Sequence, residues 1–282
     1  MTIDACLAAY GIAVAAIAPP VLRRLAAVER LPGLGVAVWL LAAASVLTAW
    51  LSAGASLATE HTGLAARTVG VALLGGISAR LLWVSLATWR TTRARRARHA
   101  QAAVLLGQPD MATGAVIIDS PEPAAYCLPH PGGGMVVLTT AARAALSPRE
   151  LGAVLAHERA HLRGRHHMII GIGHTLARAM SAVGLFHELG RQVPRLLEMR
   201  ADDAAARTCG RATVAAAIAA LGGRGVPAGA LGVGGPTATV RVMRLAAGRS
   251  GRRRGRLALA GMSLVLMVGP YLATLPTCPH PW

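Results

Sequence analysis

The sequence predicts a mainly α membrane protein in which four transmembrane helices carry a small α+β cytoplasmic domain. Three observations predict it. Four long apolar segments run through a chain of 282 residues that is 54% hydrophobic but only 3% aromatic. The arginines cluster beside those segments and on one side of them. Between the third and fourth segments lies His157-Glu158-x-x-His161, with the acidic pair Glu198 and Asp202 beginning 37 residues further on. Soluble domains are usually less apolar than this.

The first apolar segment, about Ala5 to Leu22, has its basic residues after it rather than before it, the reverse of a signal peptide, and reads as a span. Gly35 to Leu57 is 23 residues without a charge, long enough to cross. Thr68 to Trp89 is interrupted only by Arg80, whose expected role is structural: pairing within the bundle or reaching toward the headgroups. Leu257 to Leu275 is the fourth. Arg23, Arg24 and Arg30 follow the first span, Arg90 to Arg98 follow the third, and Arg249 to Arg256 precede the fourth. All these positive loops fall on one side if the N-terminus is outside, so residues 90–256 are expected in the cytoplasm. The expected organisation is 1–89 as three transmembrane helices, 90–256 as a cytoplasmic domain carrying His157 and His161, and 257–282 as the fourth helix with a short tail. No sensor domain is expected beyond it.

A net charge of +17 suggests nucleic-acid binding until the charge is located. Ten arginines lie in the two clusters that abut apolar segments, which is membrane-flanking charge, and nucleic acid is not an expected partner. With no lysine or asparagine and 29 arginines, the composition fits a high-GC bacterial genome. None of the four cysteines forms a C-x-x-C pair; buried thiols are the simpler reading, with Cys6 and Cys278 the one pair that could meet near the outer face.

Within the cytoplasmic domain, Ala115–Asp119, Ala124–Leu128 and Met135–Thr140 read as strands of a small sheet. Ser147-Pro148-Arg149-Glu150 opens a helix with an N-cap, a first-turn proline and a capping box, and that helix runs through His161. His166 and His167 read as its continuation, exposed or interfacial rather than metal ligands, and His130 as a surface residue of a Pro/Gly turn. Met168–Leu189 is apolar but carries His174, Arg178, His187 and Glu188, and reads as a buried or membrane-surface helix. The chain must return after it to the side where His157 lies. A further helix runs through Pro194–Arg207, Gly222–Gly235 reads as a mobile loop, and Val240–Leu245 begins a last helix.

Helical spacing puts the imidazoles of His157 and His161 on one face, with Glu158 beside them. Zinc in a hydrolase takes three protein ligands and keeps a fourth position for water. Glu198 is the best third ligand among only 12 acidic residues, and Asp202, one turn on, can accept the outer N–H of a ligating histidine. Glu158 is placed as the catalytic base. Val136, Val137 and Leu138 are expected to bind substrate by pairing an extended peptide with their strand. Arg207 and Arg241 are candidates for a second oxyanion donor. Asp203, about 100° round the helix from Asp202, reads as solvated or paired with an arginine.

Leu155-Ala156-His157-Glu158-x-x-His161, Glu198-x-x-Ala201-Asp202-x-x-Ala205, the strands Ala125–Pro129 and Val136–Thr140, and Pro236 to Leu245 together resemble the membrane-bound M48-type zinc peptidases and the related M56 sensor-transducer peptidases. The resemblance covers roughly residues 115–247. It implies a gluzincin-type zincin domain with one Zn²⁺ per chain on His157, His161 and Glu198, and with Glu158 catalytic. Where relatives often have His-Pro, this chain has Gly235-Pro236. The expected setting is a bacterial plasma membrane, multi-pass, with the lipid bilayer, a protein or peptide substrate, and a repressor or sensor protein as partners. Two functions stand open: a metalloendopeptidase acting on cytoplasmic or membrane-proximal proteins, and a signalling or scaffold protein with a structural zinc.

Overall fold

A computed structural model of the chain describes residues 2–129, 134–222, 231–232, 237–247 and 252–274. His130, Cys278, Gly235-Pro236 and most of the Gly222–Gly235 loop lie outside them. In chain order the elements are α1 (Ile3–Arg24), α2 (Ala26–Arg30), α3 (Pro32–Glu60), α4 (Leu64–Leu106), β1 (Gln108–Asp110), β2 (Ala115–Ile118), β3 (Ala125–Leu128), β4 (Met135–Thr139), α5 (Thr140–Ala145), α6 (Pro148–Arg163), α7 (His166–Ala179), α8 (Gly184–Cys209), α9 (Arg211–Leu221), β5 (Leu231–Gly232), α10 (Ala238–Ala246) and α11 (Arg252–Leu272). They form two compact units, one of residues 1–87, 172–193 and 251–282, the other of 88–171 and 194–250.

The first unit contains the long apolar helices. Among the described residues, four helices are long and apolar enough to cross a membrane, in α1, α3, α4 and α11. Small residues let them approach closely, as packing in lipid requires. Gly54 of α3 and Gly70 of α4 face each other so nearly that a Cβ on Gly54 would lie 3.3 Å from the Gly70 carbonyl oxygen. Tyr10 and Ser45 join α1 to α3 by a 2.8 Å hydrogen bond. Arg80 donates from Nε to the Ala179 carbonyl at 2.5 Å and from Nη2 toward that of Arg178 at 3.4 Å, so it pairs with the C-terminal carbonyls of α7. Met168–Leu189 is not a single helix: Met180–Val183 form a turn that separates α7 from α8.

The second unit is a mixed sheet, helices α5, α6, α9 and α10, the part of α8 from Pro194 onward, and the adjoining ends of α4 and α7. The sheet order is β1-β2-β4-β3-β5. Only β2 and β4 run parallel; β1 on β2, β3 on β4, and β5 on β3 are antiparallel. Val136 and Leu138 of β4 bury one face against Val154 and Leu155 of α6 and Ile218 and Leu221 of α9, while Val137 turns to the opposite face with Leu128. This is the alternation that a strand covered on both faces gives. Thr139 caps α5 by accepting from Ala142 N–H at 3.1 Å and also accepts from Ala124 N–H at 2.9 Å, tying the ends of β3 and β4 together.

Helix α6 starts where its sequence directs it. Ser147 N–H donates to Glu150 Oε2 at 2.8 Å and Glu150 N–H to Ser147 Oγ at 3.4 Å, a complete capping box with Pro148 in the first turn. It ends at Gly164, and Arg165 takes φ +46°. That left-handed residue folds the chain back, and a Cβ on Gly164 would collide with the His166 ring. His166 therefore opens a new helix and is buried at 2% exposure, contrary to the exposed continuation expected from the sequence.

Candidate metal centre

His157, Glu158 and His161 come from α6, Glu198 and Asp202 from α8, and Arg241 from α10. Five of these six side chains are at most 1% exposed: His157, Glu158, His161, Asp202 and Arg241. The two imidazoles point their Nε2 atoms at each other, 3.0 Å apart. Glu198 closes the triangle, with Oε2 at 3.4 Å from His157 Nε2 and Oε1 at 3.3 Å from His161 Nε2. Two ring nitrogens and a carboxylate brought together with little water are unfavourable unless a cation or proton lies among them.

A tetrahedral site with arms of about 2.0–2.1 Å has edges of roughly 3.3 Å. The observed separations of 3.0, 3.3 and 3.4 Å are close to that. Both carboxylate oxygens of Glu158 are buried and accept no hydrogen bond of ordinary geometry, although the Cys127 thiol bears on the carboxyl group. The residues fit a divalent metal such as zinc.

Each ligating histidine is backed from behind. His157 Nδ1 lies 3.1 Å from Asp202 Oδ1, and His161 Nδ1 lies 3.0 Å from His166 Nδ1. Outer partners of this kind set which nitrogen is free for the metal. Arg241 grips Asp202 with two bonds, Nε to Oδ2 at 2.8 Å and Nη2 to Oδ1 at 2.6 Å, and holds Nη1 3.1 Å from Glu198 Oε2. All three of these contacts go to carboxylates of the site. Arg207 is exposed. Asp203 pairs with Arg244 at 2.7 Å. Removing one partner of such a buried pair costs about 3–5 kcal/mol, because the other charge is stranded.

The electrostatics follow from burial and neighbours. Burial opposes charge on His157, yet the Asp202 and Glu198 carboxylates raise its pKa to about 9. Burial lowers His161 to about 3 and raises Glu158 to about 8. Burial would raise Asp202 as well, but its bonds to Arg241 and His157 hold it below the usual carboxylate range. One histidine thus takes up a proton where the carboxylates call for positive charge.

The expectation for Val136, Val137 and Leu138 needs correction. Strand β4 is hydrogen-bonded on both sides, to β2 and to β3, so it has no free edge to offer a peptide. The three side chains are core, at 4%, 0% and 0% exposure. Sequence reasoning missed His166, whose approach to His161 depends on the Arg165 turn, and it did not foresee the pairing of Arg241 with Asp202 and Glu198. The spacing of Arg241 and Arg244, one helical turn apart and opposite Asp202-Asp203, was the available signal.

A mixed sheet beside a helix bearing His-Glu-x-x-His, with a glutamate supplied by a second helix, is the arrangement of a metallopeptidase. The model of Peptidase family M48 matches residues 89–249, and the chain belongs to that family. No solved structure matches it.

Proposed function

We propose that this protein is an integral-membrane zinc metalloendopeptidase of a bacterial plasma membrane, with its catalytic face toward the cytoplasm and cytoplasmic or membrane-proximal proteins as substrates. The observation that carries the reading is the convergence of His157, His161 and Glu198 within 4.8 Å, beside a buried glutamate whose oxygens accept no hydrogen bond of ordinary geometry. A site that only held a structural ion would need no such base. Family membership supports peptide-bond hydrolysis, the four apolar helices support the membrane setting, and the arginine clusters support the orientation.

His157, His161 and Glu198 would hold the zinc, one ion per chain. When bound, the metal supplies Lewis acidity toward water and toward a peptide carbonyl. Glu158 accepts the proton of the attacking water and returns it to the leaving amine. Asp202 and His166 keep the imidazoles in register, and Arg241 fixes Glu198 and Asp202.

The test is Glu158→Gln in the full chain. The variant is expected to hold one zinc by elemental analysis and to lose cleavage by about a thousandfold or more, a loss of ~4 kcal/mol in transition-state stabilisation. Identical products from wild type and variant would overturn the enzymatic reading. Absence of zinc from the purified wild type would overturn the metal assignment.

A further inference from the structure

We propose that residues 172–193, the C-terminal part of α7, the Met180–Val183 turn and the first turns of α8, form a re-entrant hairpin whose tip lies among lipid acyl chains. The inference rests on the membrane reading above. Neither arm can cross. Helix α7 has 14 residues, roughly 21 Å, short of a hydrocarbon core about 30 Å thick, and α8, though it runs on to Cys209, carries Glu188, Arg191 and Arg195 in its first half. Yet residues 172–193 belong to the same compact unit as the spans.

Two contacts set the depth. Arg80 lies on α4 nine residues before Trp89, which is exposed and carries Arg93 stacked 5.3 Å from its ring, an arrangement suited to the headgroup level. Nine helical residues put Arg80 roughly 13 Å below that level, near mid-bilayer. The carbonyls it pairs with, those of Arg178 and Ala179, are at the hairpin tip. On the return arm, Glu188 lies 3.7 Å from Arg23, in the last turn of α1, which marks the interface again. From Ala182 to Glu188 is less than two helical turns, roughly 9 Å. Both routes put the turn about a third to a half of the way into the core.

The tip is built for that environment. Non-helical backbone survives at membrane depth only where its polar groups are paired. Met180 N–H bonds Leu176 O at 2.9 Å, Val183 N–H bonds Met180 O at 3.0 Å, and Phe186 N–H bonds Val183 O at 3.1 Å. Arg80 takes the last carbonyls of α7, the one place a helix end would otherwise leave acceptors bare. The arms meet through Gly173 and Gly190: a Cβ on Gly190 would lie 2.8 Å from Ala177 Cβ. Such small-residue contacts are how helices pack without water to drive them together. Arg178, exposed beside the tip, is long enough to carry its charge toward the headgroups. The hairpin returns the chain to the face it entered from, as a site shared by His157 and Glu198 requires.

The test uses the full-length protein in nanodiscs of phosphatidylethanolamine and phosphatidylglycerol, with Cys6, Cys209 and Cys278 replaced by serine and Cys127 left in place. Nitroxide labels go singly at Ala182→Cys and Ser181→Cys, with Ile12→Cys in α1 as the lipid reference and Met111→Cys as the water reference. Expected at 181 and 182 is loss of collisions with a water-soluble nickel chelate and retention of collisions with oxygen, the Ile12 pattern. The Met111 pattern at both positions, with Ile12 still lipid-like, overturns the hairpin and leaves the membrane reading intact. A water-like Ile12 overturns both.

Discussion

The candidate metal centre is braced by residues outside His157, His161 and Glu198. His161 turns its Nε2 to the site while its Nδ1 lies 3.0 Å from His166 Nδ1, and His166 is held in a buried position after the Gly164-Arg165 turn. His157 is served by a carboxylate, which an arginine in turn pins. The two histidines therefore have unequal supports, and the neutral one is the more easily probed. His166→Leu keeps most of the volume but removes the ring nitrogen, and zinc affinity measured by chelator competition is expected to fall by about 10–100-fold. His166→Asn, whose amide reaches the position of Nδ1, should recover most of that loss. Equal affinities for the leucine variant and wild type would rule out His166 as the support of His161.

The secondary-structure elements differ in how plainly their sequences announce them. Helix α6 was legible because everything that starts it is local: Ser147, Pro148 and Glu150 lie within four residues. Strands β2, β3 and β4 were legible from their Val, Ile, Leu and Tyr content. Strand β1, Gln108-Pro109-Asp110, was not, because proline and aspartate are poor strand formers and it exists only as an edge on β2. The order of the sheet was hidden too, since β4 lies between β2 and β3 through non-local pairing, and that error produced the mistaken peptide-binding strand. The break between α7 and α8 carries no proline, and its last carbonyls are paired by an arginine 99 residues away. Because the α6 cap is local, its worth can be measured alone. Ser147→Ala should destabilise the peptidase unit by ~1 kcal/mol and lower its melting temperature by a few degrees in calorimetry, with metal content unchanged. An unchanged melting temperature would mean that tertiary packing, rather than the cap, fixes where α6 begins.

For the whole molecule, the separation into two units implies two sources of stability. The unit of residues 1–87, 172–193 and 251–282 is held by close helix packing, with Gly54 on Gly70 and Tyr10 on Ser45. The unit of residues 88–171 and 194–250 is held by a sheet-and-helix core and by a cluster of buried charge that has carboxylates to spare. Its ligands come from α6 and α8, and Arg241 of α10 holds the carboxylates in place, so only the folded unit assembles the site. Metal bound to the folded unit and only weakly to the unfolded chain must stabilise it, by ~2.7 kcal/mol at a free concentration a hundred times Kd. Stripping the purified protein with a chelator should therefore lower the transition of the peptidase unit by several degrees and restore it on adding zinc. The transition of the helical unit, which contains none of His157, His161 and Glu198, should stay where it is. If both transitions moved together, the two units would unfold as one. If neither moved, His157, His161 and Glu198 would not form a metal site, and the charge on His157 would be all that the surrounding carboxylates require.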